Sequence, residues 1–381
     1  MANNNLTNAK KAKNDEFYTQ YHDIEKEISA YTDYNADVFR GKVVYCNCDD
    51  PYESNFFRYF ILNFKKFGLK SLITTSYKPS PVANTELVLQ LSLLSGHKDK
   101  VISEPEKQKG RPKTTANRFI INDVRDIDGD GDFDLADIAK QLKENQNNEW
   151  APLKENGDFR SPECIELLNQ SDIVVTNPPF SLFREYAKQL FDYDKKFLII
   201  GNINCITYKE IFQKIKNNEV WLGNGMGRWI SGFIVPKSYK LYGTEARVDK
   251  DGNRIVATNS CLWLTNLDHG RRHQPLPLMT TEDNLKYSKH KEIKGKKSYD
   301  KYDNYDAIDV PFTDSIPSDH NSVMGVPITF LDKYNPDQFE IVGCSYDYGR
   351  PDGWSKNINM SGIINGMTVY KRILIKHKKI K

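Results

Sequence analysis

The chain has 381 residues, of which 39% are hydrophobic, 28% charged and 12% aromatic, with a formal net charge of +3. That length supports one large domain plus a smaller one, and the near-neutral balance excludes a polycation, so any nucleic-acid surface must be a local patch. No run approaches the ~18 apolar residues of a membrane span, MANNNLTNAKKAKNDEF lacks the apolar core of a signal peptide, and six scattered cysteines without a CxxC pair fit reduced thiols better than disulfides or zinc; a cytoplasmic enzyme with no metal site is expected.

Strand-like runs alternate with helical ones through the first two thirds. KVVYCNC (42–48) reads as a strand, and NFFRYFILNFKKFG as a helix stopped by Gly68. KSLITTSY (70–77), NRFIIND (117–123) and SDIVVTN (171–177) read as the next three strands. SLFREYAKQLFDYD is helical, KKFLIIGN (195–202) is a fifth strand, and the helical TYKEIFQKIKNN precedes EVWLG, GFIVP and CLWLTNL. The polar segments 78–116 and 135–157 read as insertions or loops. This alternation predicts a parallel, doubly wound α/β sheet, in which ligands bind at the carboxyl ends of strands. Beyond about residue 270 the chain turns polar, basic and tyrosine-rich (GRRHQPLPL, KHKEIKGKKSYDKYDNYD). Two domains are therefore expected, 1–270 and 271–381.

The fourth strand ends on Asn177-Pro178-Pro179-Phe180. An amide oxygen from Asn177 and the main-chain carbonyl of Pro178 can each accept an N–H bond from an exocyclic amine of a nucleic-acid base. Such an amine is a poor nucleophile, and two acceptors favour its nitrogen as it becomes tetrahedral and positive. Consecutive prolines fix φ twice and donate nothing, which holds the carbonyl outward at little entropic cost. Phe180 offers a face on which a base can stack, and a paired base must leave the helix to reach it. The pattern predicts methyl transfer to a base amine; a turn in which prolines merely end a ladder is the plainer alternative.

Three weaker signals accompany it. Asp126 to Asp137 follows the spacing of a calcium loop, with a solvated acidic loop as the default. Lys109-Gly110-Arg111-Pro112-Lys113 has the Gly-Arg-Pro core of a minor-groove hook or is an ordinary basic loop. The basic stretch 270–300 suits phosphate contact.

The chain resembles the adenine-specific DNA methyltransferases of the EcoRI modification type. The resemblance rests on DEFYTQYHDIE (15–25), KVVYCNCDDPYESNFFRYF (42–60), GDFRS (157–161), DIVVTNPPFSLFREY (172–186), KKFLIIGNIN (195–204), GFIVP (232–236), YGTEAR (242–247) and MGVPITFLDKYNPDQFEIVG (324–343). It implies a Rossmann-like methyltransferase fold with a C-terminal target-recognition region, S-adenosylmethionine as methyl donor, double-stranded DNA as partner and N6-methyladenine as product. Phe17, Tyr18 and Thr19 match the N-terminal cofactor motif. Asn47, Cys48, Asp49, Asp50 and Pro51 stand where related enzymes have a glycine-rich loop, and Asp49 or Asp50 is the candidate for the cofactor's amino group. Asp123 is the candidate for the cofactor's adenine, with a strand-ending turn as the alternative. Asn177 borders both methyl donor and target amine. Arg111, Lys113, Arg160, Arg228, Arg271 and Arg272 are expected to face DNA, and a monomer is expected. Two rival readings stay open: a non-catalytic DNA-binding protein that keeps the fold, and a methyltransferase acting on RNA or on protein glutamine.

Overall fold

The computed structural model describes residues 18–48, 54–76, 116–127, 137, 141, 147–235, 241, 246–250, 252–256, 260–345, 349–353 and 362–378, the side chain of Arg228 excepted. The chain divides into two compact units. The first holds the chain up to Ile203 and again Gly225–Leu267; the second holds Asn204–Asn224 and everything from Asp268. The passage at Leu267 lies near residue 270, but the excursion Asn204–Asn224 is an addition to the second unit that the sequence does not announce.

In chain order the first unit contains β1 (Tyr18–Thr19), β2 (Val43–Cys46), β3 (Ser71–Thr75), β4 (Asn117–Ile121), β5 (Glu149–Pro152), β6 (Ile173–Thr176) and β7 (Lys196–Asn202). After β8 (Trp221–Met226), which runs from the second unit back into the first, come β9 (Phe233–Val235), β10 (Arg247–Val248), β11 (Arg254–Val256) and β12 (Cys261–Thr265). Every residue of β2, β3 and β6 is buried. Such strands, covered on both faces, are continuous apolar or β-branched runs, which is why they were visible.

The main sheet of this unit runs β5–β4–β3–β2–β6–β7–β12. Its centre is parallel: β2 pairs in that sense with β3 and β6, and β6 with β7. Its flanks are not. β4 is antiparallel to β3, β5 to β4, and β12 to β7. The expected parallel sheet is therefore corrected to a mixed one, and the expected loop 135–157 contains the strand β5. A second small sheet, β1–β9–β11–β10, is antiparallel throughout.

Helix ends follow local chemistry. Ser54 caps the helix Asn55–Leu62 by accepting from the Phe56 and Phe57 amides at 3.1 and 3.4 Å. Gly68 ends the following turn in the left-handed region at φ +62°. Ser161 caps Pro162–Gln170, with proline in the first turn. Phe56, Phe60 and Trp263 anchor one apolar cluster around the sheet.

The second unit carries β13 (Ala307–Asp309), β14 (Val323–Val326), β15 (Phe339–Cys344), the hairpin β16 (Ile363–Ile364) and β17 (Met367–Thr368), and β18 (Ile373–His377). Its sheet runs β13–β14–β18–β15, and the helix Lys209–Lys216 packs against β15. Asp309, buried there, accepts from the Tyr302 hydroxyl and from the Arg372 Nε at 2.9 Å. No helix among the described residues is long and apolar enough to cross a membrane.

Candidate active site

Because β2, β3, β6 and β7 run in one direction, their carboxyl ends share one edge of the sheet. Asn47, Ser76 and Asn177 follow three of those ends directly. β4 runs the other way, so its beginning meets this edge: the Asn117 amide donates to Ser76 Oγ at 2.8 Å, and the Ser76 amide to the Asn117 carbonyl at 2.9 Å. β5 is reversed again and delivers Leu153 there, its amide donating to the Ala116 carbonyl at 2.7 Å.

The same reasoning relocates Asp123. It follows β4, and the register pairs Ile121 with Leu72 near the start of β3. Asp123 thus lies at the opposite edge from Asn47 and Asn177, where its carboxylate engages Arg125. Its expected contact with the cofactor's adenine is withdrawn. A carboxylate at the correct edge is Asp158. Gly157 before it has φ +75°, and a Cβ there would fall 1.9 Å from the Ser76 carbonyl oxygen, so only glycine permits this approach. Asp158 takes a bidentate contact from Arg160, at 2.9 Å from Nε and 2.7 Å from Nη2. That hydrogen bonding holds its carboxyl below the usual carboxylate range. Arg160 also reaches Glu185 at 2.8 Å, and these pairs leave its side chain 49% exposed, so its expected place facing DNA is kept as a proposal.

The catalytic candidate Asn177 lies at the end of β6 with its Oδ1 closed off from solvent. Pro178 is buried, whereas Pro179 and Phe180 are half-buried. The Leu182 amide donates to the Pro179 carbonyl at 3.0 Å and folds 180–182 into a 3-10 turn leading to the helix Phe183–Asp192. Phe180 meets the buried Phe233 edge-to-face at 6.1 Å. Phe233 pairs with Thr19 and Ile234 with Tyr18, so the N-terminal FYT element is joined by main-chain ladder to the wall beside Phe180. Gln20 and Asp23 fasten that wall further: Gln20 Nε2 donates to the Gly232 carbonyl at 2.9 Å, and Asp23 Oδ2 accepts from the Ser231 amide at 3.0 Å and hydroxyl at 2.8 Å.

Asn47 is 2% exposed, and Cys48 supplies the bend expected of a glycine, at φ +64°. Phe17, Asp49, Asp50, Pro51, Arg111 and Lys113 lie outside the described residues, as do the side chain of Arg228 and most of the acidic segment 126–137. Asp137 of that segment is buried and accepts from the Ile127 amide at 2.7 Å.

The two arginines of the basic stretch are turned inward within the second unit. Arg272 is 8% exposed, with its guanidinium 3.8 Å over the Trp221 ring and a hydrogen bond to Asn218. Arg271 pairs with Asp332 and donates to the Asn224 carbonyl. Both are committed to packing, which corrects their expected role as phosphate contacts; Lys286, Lys289, Lys291, Lys294, Lys296 and Lys297 are exposed cations of that stretch.

Sequence reasoning missed Asp158, Phe159 and Phe233 as candidate site residues, although GDFRS and GFIVP were in view. Gly157 directly ahead of an Asp-Phe pair was the available signal. No such signal marked Phe233, an apolar residue in a short apolar run.

The adenine-specific methyltransferase EcoRI family model matches residues 5–378. The type II methyltransferase M.EcoRI of Escherichia coli is 48% identical over 376 residues, 98% of this chain and 97% of that protein. M.MpnI of Mycoplasma pneumoniae is 33% identical, and M.MgeORF184P of Mycoplasma genitalium 34%, with 97% and 98% of each chain covered respectively. No solved structure matches.

Proposed function

Because the chain belongs to the EcoRI family of adenine-specific methyltransferases and methylates adenine in DNA, we propose that the carboxyl edge of the first unit's sheet is where it does so, on an extrahelical adenine. The observation that carries this reading is Asn177-Pro178-Pro179-Phe180 at the end of the parallel strand β6, next to β2 with its Asn47 loop, Phe180 braced by Phe233. The unit is read as a Rossmann-like methyltransferase sheet, residues 1–270 carrying chemistry and 271–381 target recognition. A monomer suits this, since each strand of a palindrome can be methylated in turn.

Asn177 Oδ1 and the Pro178 carbonyl accept the two N–H bonds of the target amine, and more strongly as its nitrogen gains positive charge. Phe180 stacks on the flipped ring, with Phe233 fixing its tilt. The residues also fit S-adenosylmethionine. The close approach that Gly157 permits brings Asp158, an acceptor for an adenine amine, and the Phe159 ring to the edge that holds Asn47. Tyr18 and Thr19, laddered to Ile234 and Phe233 beside Phe180, are read as further cofactor contacts. Bound S-adenosylmethionine supplies its methyl as a sulfonium-activated electrophile. The chain itself needs no tuned general base, because the amine's proton is acidic once its nitrogen is alkylated.

A duplex carrying 2-aminopurine at the target position tests the extrahelical step, with S-adenosylmethionine titrated in parallel by calorimetry. Fluorescence should rise on binding and respond to Phe180→Ala. An unchanged signal at saturating protein and cofactor contradicts base capture, and absent cofactor binding would favour the non-catalytic alternative.

A further inference from the structure

One buried hydroxyl touches two parts of this site at once. Tyr186, on the helix that follows the Pro-Pro-Phe turn, is 0% exposed. Its hydroxyl donates to the side-chain carbonyl of Asn47, and its ring meets Phe159 edge-to-face with centroids 5.0 Å apart. Thr176, the residue before Asn177, donates its own hydroxyl to the main-chain carbonyl of Asn47. The turn after β2 is therefore held from below by two hydroxyls belonging to the strand and helix that flank the catalytic turn. Directly after the residue they hold, Cys48 adopts a left-handed conformation that a side chain disfavours.

We propose that Tyr186 is a positioning residue for the cofactor: with Thr176 it fixes the Asn47–Cys48 turn, replacing by hydrogen bonds the shape that glycines adopt through their own freedom. The inference rests on the reading that this turn meets S-adenosylmethionine. Its physical basis is the cost of losing either donor. A buried carbonyl left without its partner is expensive, and a turn with a disfavoured residue at its apex has a ready alternative in relaxing. Anchoring the turn before binding lowers the ordering cost of binding. The same tyrosine supports Phe159, so both parts of the cofactor pocket are referred to the helix that begins at the catalytic turn.

Tyr186→Phe removes the oxygen and keeps the ring against Phe159. Calorimetry should give an S-adenosylmethionine Kd about tenfold weaker, and S-adenosylhomocysteine should weaken by the same factor. Affinity for duplex DNA and the thermal midpoint without cofactor should stay close to wild type. KM for S-adenosylmethionine should rise while kcat at saturation is retained. In an Asn47→Ala background the Tyr186→Phe change should add nothing, since the partner is already gone. A wild-type Kd in Tyr186→Phe overturns the proposal, as does a fall in kcat with KM unchanged. Should that variant fail to fold, the near-isosteric Thr176→Val must show the same selective rise in Kd, and a wild-type value there overturns it equally. A wild-type chain unable to bind S-adenosylmethionine would instead sink the cofactor reading on which Tyr186's role depends.

Discussion

The two edges of the first unit's sheet carry an aspartate each, and they could hardly be more differently signalled. Asp123 ends a strand with an evident apolar run, NRFII, yet β4 runs antiparallel to β3 and leaves it at the far edge. Asp158 follows β5, whose EWAP has alternating half-buried and exposed residues and no apolar run, yet it stands beside the end of β3 through Gly157. Visibility in sequence reports burial, whereas a ligand site depends on strand direction. Direction is imposed by the connection, and a parallel return needs a crossover that the polar stretch before β4 gave no reason to doubt.

The largest expected effect belongs to the edge where Asn177 stands. Asn177→Ala should lower single-turnover methylation by roughly a hundredfold or more while S-adenosylmethionine still binds, because the lost acceptor acts mainly on the transition state. Near wild-type turnover would break the assignment of this edge. The two aspartates give the direct contrast. Asp158→Ala should weaken S-adenosylmethionine binding by about tenfold or more, the loss of a charge-assisted contact, and Asp123→Ala should leave it within about twofold; the reverse order in titration calorimetry would restore Asp123 to the site. The smallest effect separates buried from exposed cations. Arg272→Ala should destabilise the protein by about 1–3 kcal/mol through lost packing and hydrogen bonding, read by thermal melting. Lys294→Ala and Lys297→Ala should leave melting unchanged and each flatten the log–log salt dependence of DNA binding by about one unit. A flattened slope in Arg272→Ala without a change in melting would mean that its side chain leaves Trp221 to meet phosphate.

What could be read beforehand follows the same physics. β2, β3 and β6 were legible because strands buried on both faces must be apolar throughout. Asn177 to Phe180 was legible as a candidate because methylating a base amine would call on those residue types in that order. Cys48 was half legible: a glycine-free loop had to bend by another means, but which residue would turn left-handed depends on hydroxyls from Thr176 and Tyr186, far away in sequence. Arg271 and Arg272 looked like surface charge because Asp332 and Trp221, which receive them, are remote along the chain. Phe233 was invisible as a site residue, since an aromatic ring in a short strand is ordinarily core.

The clasp between Gln20 and the Ser231–Gly232 segment spans 211 residues of chain. A ribosome adding about 5–20 residues per second therefore takes roughly ten to forty seconds between making the first side of this clasp and the second. Throughout that interval the opening segment has no sheet edge to join, and a nascent chain of any shorter length lacks the wall that braces Phe180. Premature termination ahead of Ser231 leaves a chain in which neither the clasp nor the Phe180–Phe233 contact can form.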